Sequence, residues 1–490
     1  METFKKLLDK TGEIGFVTQV IDSIVYAEGL PGVQPDEIVV FETGEKGQVL
    51  SLNEGSIEIL TFSPEQIKVG TKITRTGTIL EFPSGEGMLG KVVDPFGNLL
   101  TEEGKATIKT TPYPVDREPE GIVERESIKK YLETGTSIVD LMIPLGKGQR
   151  ELVIGDRKTG KTNFLLHTIL TQAKQGNICI YACIGKRKID IKKSEEFFRA
   201  NKIMDKVLLI ASTSTDPAGT IFVTPYSAMA AAEYFKDKGK DVLVVLDDMS
   251  THAKFYREIS LLGKRFPGRN SYPGDIFYVH AKLMERAGNF STTNGETAIT
   301  CLPVVETTQG DLSGFIQTNL MSMTDGHLFF DSNLFYQGRR PAINPFLSVT
   351  RVGRQTQSSI KRSINREITS FLTLYERIQN FVHFGSELNE SSKITLDTGA
   401  KIQKLFDQPS NEIIPINVQV IIFVMVWGTL LPNLKIEEVI EKRKKLTELY
   451  LKDPKLQKEL DEMIETSETL NELLKKTTPE NKIIEKILNL

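Results

Sequence analysis

The run Gly155-Asp156-Arg157-Lys158-Thr159-Gly160-Lys161-Thr162 is a complete G-x-x-x-x-G-K-T. It follows the apolar segment ELVI and precedes NFLLHTILTQAKQ, which reads as a helix, and this strand–loop–helix context is what the motif requires. The glycines let successive backbone N–H groups turn inward onto phosphate oxygens, and the start of the helix adds positive potential. In that arrangement Lys161 reaches the β- and γ-phosphates of a nucleoside triphosphate, and the Thr162 hydroxyl ligates magnesium. A chance glycine-rich turn would not carry all four fixed residues between a strand and a helix.

A metal-bound triphosphate also calls for a carboxylate at the end of a second apolar strand. DVLVVLDDMS supplies one, with Asp247 directly after Val242–Leu246. A solvated acidic turn would look the same in isolation; the phosphate loop upstream favours Asp247 as the magnesium-side group. Hydrolysis needs, in addition, a group that polarises the attacking water, usually a carboxylate. After NICIYACIG the chain continues instead with Lys186-Arg187-Lys188. A protonated lysine cannot act as that base. Asp248 is the alternative carboxylate, but neighbouring strand residues project to opposite faces, so Asp247 and Asp248 are not expected to converge on one point.

The elements that must position these groups fall into three regions. Residues 15–82 read as short β-branched strands, among them Val17, Val20, Ile24, Ile38 and Val40, punctuated by glycines as a barrel requires. A proline-bearing connection, TTPYPVDREPEG, follows. Between about 122 and 355 the strands ELVIG, NICIYACIG, KVLLIAS, DVLVVLDD and TAITCLPVVE alternate with helical stretches, which implies a parallel sheet covered on both faces. Beyond about 358 the strands stop. Leu446, Leu449, Tyr450, Leu456, Leu460, Met463 and Ile464 recur at helical spacing, with Pro454 and Pro479 separating helices. The expected architecture is multidomain: an N-terminal β-barrel over 1–82, a P-loop α/β core over 83–357, and a C-terminal α-helical bundle over 358–490. Its 490 residues are too many for one hydrophobic core, since domains run to roughly 100–200 residues.

Composition narrows the function classes. A net charge of −3 offers no broad attraction to nucleic acid. Cys179, Cys183 and Cys301 have no histidine or second cysteine pair nearby, so they read as buried free thiols rather than a metal site or disulfide. Residues 1–15 show no apolar signal-peptide core. The run Ile416–Leu434 approaches the length of a membrane span, yet Asn417, Gln419, Gly428 and Pro432 interrupt it, and a buried helix is the expected outcome.

Four segments together resemble one family. GQRELVIGDRKTGKT, the stretch Arg257–Gly288, PVVETTQGDLSGFIQTNLMSMTDGHLFFDSNLFYQGRRPAIN and Leu347–Gly353 are similar to the alpha subunit of F-type rotary ATPases. The resemblance runs from about residue 13 into the helical region and weakens after about 410. It implies a RecA-like core that binds ATP with Mg2+, in a hexamer alternating with beta-type catalytic subunits around a gamma-type central stalk. It places the chain peripherally on the cytoplasmic side of a membrane, bound only through partners. By position, Arg351 matches the arginine that reaches the γ-phosphate in a neighbouring catalytic site, Phe335 and Arg340 match residues at the adenine end, and Gln408 matches a glutamine near the base. The family usually has a second glutamine close behind, where this chain has PSNEIIP. Alpha subunits generally carry glutamine where catalytic relatives carry the glutamate base, and this chain carries Lys186.

Two departures set further expectations. About twelve residues precede GEIGFVTQV, fewer than the N-terminal helical segment that alpha subunits commonly present to the peripheral stalk. A specialised motor of the same architecture, driving motility or transport, is therefore the alternative reading. A self-sufficient catalytic ATPase would carry a carboxylate at position 186. A ring-shaped RNA helicase would want basic and aromatic residues in its barrel, whereas VVFETGEKGQVLSLNEGSIEIL is acidic and poor in aromatics.

Overall fold

The computed structural model describes residues 4–63, 67–101, 109–383, 390–409, 412–428, 430 and 435–488. Six strands, β1 (Gly15–Ile21), β2 (Ile24–Glu28), β3 (Glu37–Phe41), β4 (Lys46–Asn53), β5 (Ser56–Thr61) and β6 (Lys72–Ile79), form a closed barrel in the order β1-β2-β5-β4-β3-β6. Antiparallel pairing of Gly15 with Ile73 closes it. Register shifts in β1, β3 and β4 supply the local bends that closure needs. Val17, Val25, Val39, Phe41, Ile59 and Ile73 fill the interior. A helix, α1 (Phe4–Thr11), precedes the barrel and buries Leu7.

The chain divides into two compact units. The first comprises residues 1–127, 148–154 and 172–324; the second comprises 128–147, 155–171 and 325–490. In the first, the barrel is followed by the sheet order Gly295–Thr307, Val242–Asp247, Ile178–Lys186, Val207–Thr213, Val92–Val93. From Gly295–Thr307 onward these neighbours pair in parallel, and the strands Ile178–Lys186 and Val242–Asp247 are almost wholly buried. Their near-continuous aliphatic runs follow from that two-sided cover. Cys179, Cys183 and Cys301 lie in this sheet as buried free thiols, as their spacing suggests.

Helix Ala218–Asp237 is buried over most of its circumference. Gly219 permits its approach to the barrel, since a side chain there would meet the Thr61 carbonyl oxygen at 2.6 Å. The proline-bearing connection is fixed by Arg286, whose guanidinium donates to both carboxylate oxygens of Glu233 at 2.8 and 2.9 Å and to the Val115 carbonyl at 2.7 Å.

In the second unit, helices Ser359–His383, Glu390–Leu405, Ile416–Trp427, Ile436–Lys452, Pro454–Glu465, Leu470–Lys476 and Lys482–Leu488 make up the C-terminal region. Pro454 occupies the first turn of its helix, and Asp453 caps it by accepting from the Lys455 and Leu456 N–H groups. The apolar run forms the 12-residue helix Ile416–Trp427, about 18 Å long, well under a bilayer's thickness. Thr429 and residues 431–434 lie outside the described residues, as do Ser410 and Asn411 of PSNEIIP and Met1–Thr3 of the N-terminal segment. Gln419, an apparent flaw in that run, donates to the Asp140 carboxylate at 3.1 Å and to the Ile414 carbonyl at 2.6 Å. Among the described residues, no helix is long and apolar enough to cross a membrane.

The first unit also buries a histidine pair. His252 Nδ1 lies 3.3 Å from His280 Nε2, and both rings are inaccessible to solvent. Burial lowers His280 from its usual 6.5 to about 4, and burial together with the neighbouring His280 holds His252 well below the usual value. The neutral forms are therefore preferred in the folded chain, while the unfolded chain takes up protons below about pH 6.5. Stability is fully present above that pH and is lost as pH falls toward 4, with His280 alone accounting for about 3 kcal/mol. Urea unfolding followed between pH 7 and 4 should show this fall, and His280→Asn should make it shallower.

Candidate functional site

The phosphate loop, Gly155–Thr162, leads into helix Lys161–Lys174, whose N-terminus contributes positive potential. Gly155 has φ +157° and stands where the strand Gly326–Phe330 passes closely: a Cβ at 155 would lie 2.7 Å from Phe330 Cβ and nearer still to its carbonyl oxygen. Lys158 and Gly160 adopt left-handed conformations, φ +63° and +96°, which curl the loop back on itself. Lys161 is buried, and its ammonium donates to the Gly155 and Asp156 carbonyls at 2.7 and 2.6 Å. Thr159 Oγ1 donates to Asp156 O at 2.8 Å, and the Asp156 carboxylate accepts from Ser332 Oγ at 3.1 Å. Arg157, Lys158 and Thr162 are exposed.

Phe335 and Arg340 come together in the same unit. The Arg340 guanidinium stacks on the Phe335 ring, 3.7 Å from its centroid, and is steered there by donation to the Phe335 and Arg339 carbonyls. Gln408 is placed differently from a base-contacting amide. It is buried, its Oε1 accepts from Ser137 N at 3.0 Å, and its Nε2 donates to the Gly135 and Glu412 carbonyls. Its polar atoms are spent on backbone. Arg351 follows the short strand Val349–Thr350, where Thr350 Oγ1 donates to the Pro144 carbonyl. Gly353 is required beside it, because a methyl there would overlap the same carbonyl. The Arg351 side chain is exposed and makes no hydrogen bond or ion pair among the described residues.

The carboxylate pair belongs to the first unit. Asp247 and Asp248 are both buried, and a cis peptide joins them. Lys186 Nζ lies 2.7 Å from Asp247 Oδ1 and 3.1 Å from Asp248 Oδ2. Asp247 Oδ2 accepts from the Tyr181 hydroxyl at 2.8 Å, and Asp248 Oδ1 accepts from Thr251 N at 2.7 Å. The expectation that the two carboxylates diverge is thus corrected. Strand alternation ends at Asp247, and Asp248 already serves as N-cap of helix Met249–Leu262. Gly185, with φ +60°, lets the chain turn close to Thr251 and delivers Lys186 to both acids. Burial on its own would lower the Lys186 pKa, but Asp247 and Asp248 outweigh it, and the net shift is upward. Lys186 is an ammonium and cannot serve as a general base. All four carboxylate oxygens have protein partners, the Lys186 ammonium for two of them.

Residues 135–350 match the ATP synthase alpha/beta family, nucleotide-binding domain, and residues 357–481 match the ATP synthase alpha/beta chain, C terminal domain. ATP synthase subunit alpha of Dictyoglomus turgidum is 40% identical over 432 residues, covering 88% of this chain and 85% of that protein. The same subunit of Dictyoglomus thermophilum is also 40% identical over 432 residues, covering 88% and 84%. The chain belongs to the F-type ATPase alpha-subunit family. The barrel, the nucleotide-binding α/β core and the C-terminal helices of this alpha-type chain follow the family's layout.

Sequence reading missed Tyr181 and Ser332. Tyr181 was detectable in principle: a lone tyrosine in an otherwise aliphatic, buried strand needs a partner for its hydroxyl. Ser332 lies far from Asp156 in sequence and gives no such signal. For the loop itself, Gly155→Ala should force the strand Gly326–Phe330 to shift, costing about 1–3 kcal/mol as overpacking does. Chemical denaturation of the variant beside the parent chain measures it.

Proposed function

We propose that this alpha-type chain binds ATP at Gly155–Thr162 without hydrolysing it and lends Arg351 to a neighbouring catalytic subunit. On this reading it alternates with beta-type subunits in a hexameric ring around a gamma-type central stalk. The ring sits peripherally on the cytoplasmic side of a membrane, held there by its partners. Loop N–H groups and Lys161 take the phosphates, and the Arg340–Phe335 stack offers a flat face to the adenine. Gln408 contributes by anchoring its loop to Gly135–Ser137. A magnesium ion carried in by the nucleotide has the Thr162 hydroxyl as a protein donor.

The observation that carries the non-catalytic reading is the Lys186 ammonium on Asp247 and Asp248. Both acids are engaged by Lys186, and an ammonium has no lone pair with which to take a proton from water. For the donation in trans, the support is an exposed guanidinium without an ion-pair partner among the described residues, on a backbone held by Thr350 and Gly353. Such an arginine stabilises charge on a phosphoryl group in transfer, and its fork geometry is not reproduced by lysine.

The purified full chain should bind ATP in calorimetry yet release no phosphate above background. In the assembled complex, Arg351→Ala should cut turnover by about a thousandfold, with Arg351→Lys giving little rescue. Steady hydrolysis by the chain alone would overturn the non-catalytic role. Unchanged turnover in the Arg351→Ala complex would overturn the donation.

A further inference from the structure

We propose that Arg443, buried among the C-terminal helices, is a positioning residue for the adenine end of this chain's nucleotide site, acting through Asp407 on the Arg340–Phe335 stack. The proposal rests on the reading of Phe335 and Arg340 as that adenine end, and every residue it uses belongs to the second unit.

Arg443 lies on helix Ile436–Lys452 and is only 2% exposed. A buried guanidinium is tolerated where its donors are matched and its charge is met. Here Nη1 donates to the Leu405 carbonyl at 2.8 Å, both terminal nitrogens reach the Asp407 carbonyl at 3.4 Å, and Nη2 meets the Glu412 carboxylate at 2.8 Å. Leu405 ends helix Glu390–Leu405, so the cation also sits where a helix presents its last carbonyls. Arg443 thus ties the chain leaving one helix to the side of another.

Asp407 passes that restraint on. Its Oδ1 accepts from Arg340 N at 3.0 Å, and the Arg340 carbonyl accepts from Gln408 N at 2.5 Å, so residues 407 and 408 hold both backbone polar groups of Arg340. Arg340 in turn donates to the Phe335 and Arg339 carbonyls and lays its guanidinium 3.7 Å from the centre of the Phe335 ring. A shift of the Asp407 backbone therefore moves Arg340 and tilts the stack. The phosphate end has anchors of its own: Lys161 donates to the Gly155 and Asp156 carbonyls, and Ser332 Oγ donates to the Asp156 carboxylate. Those bonds do not run through Asp407. Loss of Arg443 loosens the base end and spares the phosphates, whereas a residue that merely held helices together would affect both ends alike or neither.

The test is calorimetry on the full chain with ATP and with inorganic tripolyphosphate, which has the phosphates without the base, both in excess magnesium. Arg443→Met should weaken ATP by about 3–30-fold, the range for residues that couple to a ligand without touching it, and leave tripolyphosphate within about twofold. In an Arg340→Ala background, Arg443→Met should change ATP affinity by less than about twofold, since the element it positions is gone. Equal losses for the two ligands, no loss of ATP, or full additivity with Arg340→Ala each overturn the proposal. An Arg340→Ala chain that binds ATP as the parent does overturns the adenine-end reading, and a parent that does not bind ATP overturns the ATP reading; this proposal falls with either. Asp407→Ala, which removes the acceptor of Arg340 N at a half-buried position, carries the same expectations and decides the matter should Arg443→Met fold poorly.

Discussion

Two carboxylates side by side at the buried end of a β-strand call for a counter-charge, and Lys186 provides it. Removing either acid from water costs several kcal/mol unless hydrogen bonds and an opposite charge compensate. The ammonium at 2.7 and 3.1 Å, the Tyr181 hydroxyl and the Thr251 N–H supply that compensation between them. Held in this way, Asp248 also caps helix Met249–Leu262 by accepting from the Thr251 N–H.

The same rule, that buried polar groups must be paired, organises the rest of each unit. In the first, Arg286 secures Glu233 and the Val115 carbonyl, and so ties the proline-bearing connection to helix Ala218–Asp237. In the second, Asp140 accepts from Thr134, Gly135 and Gln419, and Gln408 bonds the backbone on either side of the same turn. These bonds join segments far apart in sequence, and each leaves an orphaned buried group if cut. Glycines serve the complementary purpose at close approaches. Gly155 lets the phosphate loop start against Phe330, and Gly353 lets the chain beside Arg351 pass over Pro144.

The charged side chains of the second unit differ in exposure. The phosphate-loop cation Lys161 is buried and committed to loop carbonyls, which holds its ammonium in place at low entropic cost. Arg351 is exposed and unpaired among the described residues. The Arg340–Phe335 stack presents a flat, polarisable surface whose geometry is fixed by backbone carbonyls rather than by other charges.

The sequence by itself determined the elements and the loop chemistry. Period-two strands, aliphatic runs and helical spacing depend on local patterning, so the barrel, the parallel sheet and the C-terminal helices were legible, as was the G-x-x-x-x-G-K-T loop, whose function resides in consecutive backbone groups. The run Ile416–Leu434 was readable as a buried helix because its polar interruptions are local facts. Tertiary structure alone decided where side chains distant in sequence meet. The convergence of Asp247 and Asp248 on Lys186 depends on where a strand hands over to a helix cap, and alternation argued the other way. The commitment of Gln408 to Gly135 and Ser137 spans more than 270 positions, and the exposure of Arg351 depends on what fails to pack against it. Periodicity reports which face of an element is buried; it carries no information about which polar group waits on the other side.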